Sequence, residues 1–116
     1  MIKRNNPKPR LADSVEYAGL VYLSGQVPTD LSGDITSQTQ EVLAKIEALL
    51  AASHSHKTRI LSAQVWIKDM KRDFAAFNTV WESWMPAECS PARAAVEANM
   101  AREQVLVEIM VIAAQN

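Results

Sequence analysis

The segment Val105–Ala114 constrains the fold most, because it has the length of a strand and is apolar on both faces. The residues on one face are Val105, Val107, Ile109 and Val111, and those on the other are Leu106, Met110 and Ile112. A strand with two apolar faces requires cover on both sides of its sheet. We therefore expect this strand to lie within a layered structure that covers both of its faces.

Two segments have the apolar period of an amphipathic helix. The first begins at Thr36 and ends at Ser53–His56, and the second precedes Pro86. The aromatic stripe of the second helix predicts packing against a large apolar surface, which the sheet would supply. The stripes comprise Val42, Ile46, Leu49 and Leu50 in the first helix and Phe74, Phe77, Trp81 and Trp84 in the second.

The remaining ordered segments have the character of strands. Asp13–Ser24 predicts a hairpin with its turn at Ala18-Gly19, and Leu61–Ile67 alternates like a strand with one buried face. Ala94–Ala98 predicts a strand that pairs with the last one in a hairpin closed near Arg102–Gln104. The order β-β-α-β-α-β-β predicts an α/β (α+β) fold with two helices on one face of a mixed sheet. A second copy is the economical cover for the other face, so we expect a closed symmetric homo-oligomer.

Length and composition predict one domain, residues 1–116, with residues 1–12 as a loosely ordered basic segment. That segment holds Lys3, Arg4, Lys8 and Arg10, whereas the whole chain has a net charge of -1. The overall charge argues against nucleic acid and anionic membranes as partners. No apolar run reaches the roughly 20 residues of a membrane span, and no signal peptide is visible, so we expect a cytoplasmic protein.

His54, His56 and Cys89 do not predict a metal site or a nucleophile. The two histidines lack further ligands at a defined spacing. The single cysteine cannot form an internal disulfide and has no neighbour in the sequence that would activate its thiol. We interpret the histidines as part of a solvated loop at a helix end.

Two charged residues stand out among apolar neighbours. Glu108 interrupts the face formed by Leu106, Met110 and Ile112, and Arg93 precedes an apolar run. One interpretation is an internal ion pair that organises an interface, because buried charges usually pair. The other is a site in which the planar guanidinium binds a substrate carboxylate through two hydrogen bonds. In that case Glu108 would position or deprotonate a water molecule.

Several motifs occur together and in order along nearly the whole chain. They are Ser24-Gly25-Gln26-Val27-Pro28, the helix pattern Gln38/Leu43/Ile46, Val65-Trp66-Ile67-Lys68-Asp69, Phe74/Asn78, Pro91-Ala92-Arg93 and Val107-Glu108-Ile109. This combination closely resembles the Rid family, the reactive intermediate (imine/enamine) deaminases also called the YjgF family. Within that family the chain looks nearer to a divergent, YoaB-like branch than to the archetypal RidA deaminases.

The resemblance implies a chorismate-mutase-like subunit in a homotrimer whose three sheets form an inner barrel, with ligand clefts between neighbouring subunits. It also implies hydrolysis of 2-imino acids, such as 2-iminobutanoate and 2-iminopropanoate, to 2-oxo acids and ammonia. The partner would be a small carboxylate-bearing substrate, and no metal or organic cofactor is implied.

Carried over by position, Arg93 matches the family arginine that binds the substrate carboxylate, and Glu108 matches the glutamate that helps to activate water. Ser24 and Gly25 match the loop that lines the cleft, and Asn78 matches an asparagine often found near it.

The chain departs from the family pattern at two positions. Leu11 stands where the deaminases commonly have a tyrosine, and Ala95 where they have a cysteine that is thought to act through its main-chain carbonyl. These departures leave two functions open. The chain is expected either to be a deaminase with an altered substrate preference or to be a non-catalytic binding or regulatory module for small 2-oxo acids.

Overall fold

A computed structural model describes all 116 residues, which form one six-stranded sheet covered on one face by two helices. The strands are β1 (Lys3–Asn5), β2 (Ser14–Tyr17), β3 (Leu20–Leu23), β4 (Ile60–Ile67), β5 (Ala92–Glu97) and β6 (Val107–Ala114). Their order in the sheet is β1-β2-β3-β6-β4-β5. All neighbours are antiparallel except β4 and β5, so the sheet is mixed, as the sequence predicts.

The helices α1 (Ile35–Ala52) and α2 (Met70–Trp84) begin at aspartates that cap them. The side chains of Asp34 and Asp69 accept hydrogen bonds from the main-chain N–H groups of Ser37 and Arg72, which would otherwise have no partner. Both predicted stripes face the core, where Ile46 and Phe77 are fully buried. The two helices and the hairpin at Ala18-Gly19 are therefore confirmed.

The central strand β6 lies between β3 and β4 and presents two different faces. Its helix-facing residues are buried in the core; they are Val107, Ile109, Val111 and Ala113. On the opposite face, Met110 and the neighbouring Tyr22 of β3 are each 40% exposed. In a single chain this second face, here called the open face, carries large apolar side chains that no helix covers.

A buried glutamine on α1 fixes the loop that leads into β6. The Gln38 side chain is 1% exposed and donates hydrogen bonds to the carbonyl oxygens of Gly33 and Gln104. Its own oxygen accepts the N–H of Leu106 at 2.8 Å. The start of β6 is thereby tied to the first helix, which fixes the position of Glu108 along the sheet.

The predicted hairpin between the last two strands is wrong. β5 pairs in parallel with β4, and α2 is the crossover that connects them, whereas β6 pairs with β3 and β4. The helix between β4 and β5 makes a parallel arrangement possible, and β5 consequently lies at the edge of the sheet. This placement moves Arg93 away from the position that the hairpin would have given it.

Two smaller features also differ from the sequence analysis. Lys3–Asn5 forms the edge strand β1 within the segment expected to be loose. A bulge between Ile60 and Ser62 shifts the register of β4, so that Ile60 enters the core and Leu61 is 50% exposed. Neither helix combines the length and apolar character that a membrane span requires.

Candidate functional site

Arg93 lies on the edge strand with its side chain on the helix-covered side of the sheet. It is level with Ala63, whose side chain is in the core. The guanidinium carbon Cζ lies 5.6 Å from the centroid of the Phe77 ring and 5.2 Å from that of the Trp81 ring. Nη2 donates a hydrogen bond of 3.0 Å to Oδ1 of Asn78. Three residues of α2 therefore hold one arginine.

The charge of Arg93 has no acid partner within the chain. None of its nitrogens lies within ion-pair distance of a carboxylate, and Asn78 is its one side-chain hydrogen-bond partner. Desolvation lowers the pKa of Arg93 below its usual value, and the negative charge of Glu82 opposes this effect. A guanidinium stays protonated in proteins. Arg93 is thus a fixed cation with unused N–H donors, which suits an anionic ligand.

Glu108 lies on the open face of the sheet, opposite Trp66. Its carboxylate forms no hydrogen bond or ion pair within the chain. A Cβ atom built on Gly25 would lie 2.2 Å from Oε2 of Glu108, which is far inside van der Waals contact. A glycine at position 25 is therefore what leaves room for the carboxylate.

The loop that contains Gly25 crosses β6 at Ile109. Gln26 and Ile109 exchange main-chain hydrogen bonds of 2.8 and 3.1 Å. The Ser24 hydroxyl donates to the carbonyl oxygen of Ala12, and the Ser24 N–H donates to Asp13. Ser24 thus ties the loop to the segment that carries Leu11, whose side chain is 50% exposed.

The structure does not bring Arg93 and Glu108 together within one chain. Arg93 is level with Ala63, whereas Glu108 is level with Trp66, three residues further along β4. This offset corresponds to roughly 10 Å along the strand, and the two side chains lie on opposite faces of the sheet. None of the four surface cavities contains both residues. The hairpin predicted between the last two strands would have permitted both residues to approach the same end of the sheet, and the observed fold does not bring them together in a single chain.

The predicted residues therefore form two half-sites. The first, here called the arginine half-site, contains Arg93 and Asn78, with Ala95 two residues further on the same face of β5. The second, here called the glutamate half-site, contains Glu108 and Gly25, and Ser24 links it to the segment of Leu11. A single pocket that used both half-sites would have to combine two copies of the chain.

Phe77 and Trp81 contact the candidate residue Arg93, although their spacing in the sequence predicts only a core stripe. They flank Asn78 on α2 by one and three residues, so all three can face the same strand. The signal was present in this spacing. It could be interpreted only with the knowledge that β5 pairs beside β4, where α2 covers it.

The two histidines and the cysteine form no hydrogen bond with a residue of either half-site. His56 caps the short 3-10 turn Lys57–Arg59 by accepting the N–H of Thr58. Cys89 is a half-buried free thiol in the loop before β5. No group of three or more His, Cys, Asp or Glu side chains is arranged to hold a metal ion.

Comparison with known proteins identifies the family. The family model described as endoribonuclease L-PSP matches residues 1–115. The chain belongs to this family, which includes the YjgF and RutC proteins. A RutC family protein of Haemophilus ducreyi is 41% identical over 116 residues, which is 100% of this chain and 98% of that protein. The resemblance predicted from the motifs is thereby confirmed.

Two further relatives of this L-PSP/YjgF protein agree with the sequence analysis. The RutC family protein YoaB of Escherichia coli is 37% identical over 113 residues, covering 97% of each chain. The crystal structure of a YjgF family member from Neisseria meningitidis is 39% identical, has a TM-score of 0.96 and covers 100% of this chain and 96% of that one. The α+β fold is thus shared along the whole length.

Proposed function

We propose that this protein hydrolyses small 2-imino acids to 2-oxo acids and ammonia, in sites formed between two copies of the chain. The observation that carries the proposal is the arginine half-site. Arg93 is held by aromatic rings and an amide, has no acid partner in its own chain and retains free donors. The planar guanidinium of such an arginine can bind a carboxylate through two parallel hydrogen bonds. The family resemblance adds the imine as the reacting group.

The glutamate half-site supplies the group that would act on water. Glu108 makes no hydrogen bond within the chain and lies beside Trp66 and the loop of Gly25. In the proposed step its carboxylate takes a proton from water as the water oxygen bonds to C2 of the imine. Glu108 returns this proton to the substrate nitrogen, which gives a tetrahedral intermediate that carries a hydroxyl and an amino group on C2. Glu108 then takes the hydroxyl proton and passes it to the nitrogen as the C–N bond breaks, so that ammonia leaves and C2 becomes a carbonyl carbon. Glu108 thus serves as base and then as acid.

The assembly that would unite the half-sites is a closed homo-oligomer, and the family resemblance implies a homotrimer. The apolar open face supports a second copy as its cover, since Tyr22, Met110 and Trp66 lie there together. Glu108 lies on this same face, so the surface that meets a neighbour is also the surface that carries the proposed base. Arg93 lies on the edge strand β5, which no further strand of the same chain covers, and this supports a contact with another copy in the proposed assembly.

Removal of the guanidinium tests this proposal. The assay generates 2-iminobutanoate enzymatically and follows its disappearance with and without the protein. We expect Arg93→Ala to lower kcat/KM by at least about 100-fold, because a charge-assisted bidentate contact is lost. Arg102→Ala is the matched control, because Arg102 is exposed in a loop and its side chain makes no hydrogen bond or ion pair. Unchanged hydrolysis by Arg93→Ala would remove the proposal.

Binding without turnover is the second candidate function. The observation in its favour is Leu11, an exposed apolar side chain at the position where the resemblance implies a tyrosine hydroxyl. In that case 2-oxobutanoate would raise the melting temperature of the wild type and not that of Arg93→Ala, while no imine hydrolysis would be detected. Measurable hydrolysis by the wild type would exclude this alternative.

RNA cleavage, the activity in the description of the family model, has less support in this chain. The net charge is -1, and two of the four basic residues of the N-terminal segment pair with acids of the same chain. Lys8 lies 2.5 Å from Asp13, and Lys3 lies 3.8 Å from Glu16. A polyanion would meet little uncompensated positive charge.

A further inference from the structure

We propose that Trp81 is a positioning residue that holds Arg93 in the orientation required to bind a carboxylate. This inference rests on the proposed function, because it concerns how the arginine half-site is organised. Trp81 does not contact the ligand in this proposal. It acts through the guanidinium, together with Phe77 beneath it and Asn78 beside it.

The contacts of Arg93 restrict its guanidinium on two sides. The Trp81 and Phe77 centroids lie 5.2 and 5.6 Å from Cζ, within the range in which a ring attracts a cation. Asn78 accepts from Nη2 at 3.0 Å and so limits rotation of the group. The hydrogen bond to Asn78 is the one side-chain hydrogen bond that Arg93 makes, so its remaining N–H groups have no partner in the chain. They present the forked edge that a carboxylate needs.

Preorganisation is the physical gain from this arrangement. A free arginine side chain samples many rotamers, and ordering it on binding reduces affinity. An edge strand leaves Arg93 exposed, so the sheet alone would not restrain the end of its side chain. The aromatic rings provide the restraint without neutralising the positive charge, whereas an acid partner would compete with the ligand.

A second aromatic residue on the same helix provides a contrast. Trp84 packs with Trp81 at a centroid distance of 5.7 Å, but its indole N–H donates to Glu47 and its ring lies under Lys57. Trp84 makes no contact with Arg93 through its ring. Both tryptophans contribute apolar surface to the packing of α2, but only the Trp81 ring also contacts the Arg93 guanidinium. An effect on binding that comes from lost packing should therefore appear when either tryptophan is replaced. An effect that comes from lost positioning of Arg93 should appear only when Trp81 is replaced.

The test measures carboxylate binding and hydrolysis in variants of the intact protein. 2-Oxobutanoate serves as the binding probe, and 2-iminobutanoate as the substrate. We expect Trp81→Leu to raise the Kd for the probe and the KM about twofold to thirtyfold, with kcat changed less, because the Glu108 half-site is untouched. Trp81→Phe retains a ring and should have an intermediate effect. Trp84→Leu should leave both constants at the wild-type values.

A double-mutant cycle separates positioning from a structural effect. If Trp81 acts through Arg93, then Trp81→Leu causes no further fall in the residual kcat/KM for 2-iminobutanoate in the Arg93→Ala background. An equal additional loss in that background would overturn the inference, as would wild-type Kd and KM values in folded Trp81→Leu. If Trp81→Leu fails to fold, as judged by circular dichroism, Trp81→Phe and its cycle with Arg93→Ala decide the question. Probe binding that survives Arg93→Ala would instead refute the proposed function itself.

Discussion

At the scale of single residues, Gly25 and Glu108 form a pair whose geometry depends on the absence of a side chain. A Cβ at position 25 would overlap Oε2 of Glu108 at 2.2 Å. The main chain cannot easily retreat, because the adjacent Gln26 is bonded to Ile109 in both directions. The carboxylate would have to move instead. Gly25 is thus explained by the space it leaves for the proposed base.

The first prediction concerns Gly25→Ala. We expect a loss of kcat of about tenfold or more, because a displaced carboxylate no longer reaches the water in the required geometry. Binding of 2-oxobutanoate should persist, since the arginine half-site is unchanged. The measurement is steady-state imine hydrolysis together with a titration of the probe.

Gly19→Ala is the control for this prediction. Gly19 has φ 81°, so alanine there is strained, but a Cβ would meet nothing within 4 Å. This variant should lose about 1 kcal/mol of stability and keep the wild-type rate. A Gly25→Ala protein with wild-type kcat would show that Glu108 has a different role or sufficient freedom to adapt.

At the scale of elements, the sequence predicts the helices and the hairpin, which depend on local periodicity. Its prediction is wrong where the pairing of strands depends on distant parts of the chain. The stripes of α1 and α2 and the hairpin of β2 and β3 follow from local patterns. The parallel pairing of β4 and β5 does not, because it is decided by how α2 packs on the sheet. β1 has no apolar pattern and is held by pairing with β2.

The same distinction applies to the candidate site. The resemblance selects Arg93, Asn78, Gly25 and Glu108, and the structure gives each of them a definite environment. The sequence does not reveal that the arginine and the glutamate face opposite ways. That fact depends on strand order, and strand order is the part of the fold that local patterns leave open. The rings behind Arg93 were missed for the same reason.

The second prediction concerns the attachment of β1 and the C-terminus to β2 through Glu16. The Glu16 carboxylate accepts hydrogen bonds of 2.7 Å from Asn5 and from Gln115, and Lys3 lies nearby. These contacts, led by the bond from Asn5, lower the pKa of Glu16 from its ordinary value of 4.5. A lowered pKa in the folded state contributes stability above about pH 4.5, and this contribution is lost as the pH falls through the folded value.

We therefore expect Glu16→Gln to be less stable than the wild type at pH 7 and to approach it in stability as the pH falls below about 4.5. Urea unfolding at a series of pH values and a fixed protein concentration measures this difference. Glu103→Gln is the control, because that exposed carboxylate forms no ion pair. A stability deficit that stays constant down to pH 3 would contradict the assignment.

At the scale of the whole molecule, the two faces of the sheet carry different groups of residues. The helix-covered face contains the core and, at its edge, the arginine half-site. The open face carries apolar residues and the glutamate half-site. Since no chain can direct both half-sites into one pocket, the proposed activity requires assembly. The same contact that covers Met110 and Tyr22 would then also complete the site.

The last prediction uses this division by mixing two inactive variants. Arg93→Ala retains Glu108, and Glu108→Gln retains Arg93, so each should be inactive when assembled alone. When the two are co-expressed in equal amounts, random assembly places an intact arginine opposite an intact glutamate at about one quarter of the interfaces. Activity per subunit should therefore return to about a quarter of the wild-type value. Mixing the proteins after assembly, without subunit exchange, should restore nothing. Co-expressed variants that remain as inactive as the separate proteins would show that Arg93 and Glu108 do not serve one intersubunit site.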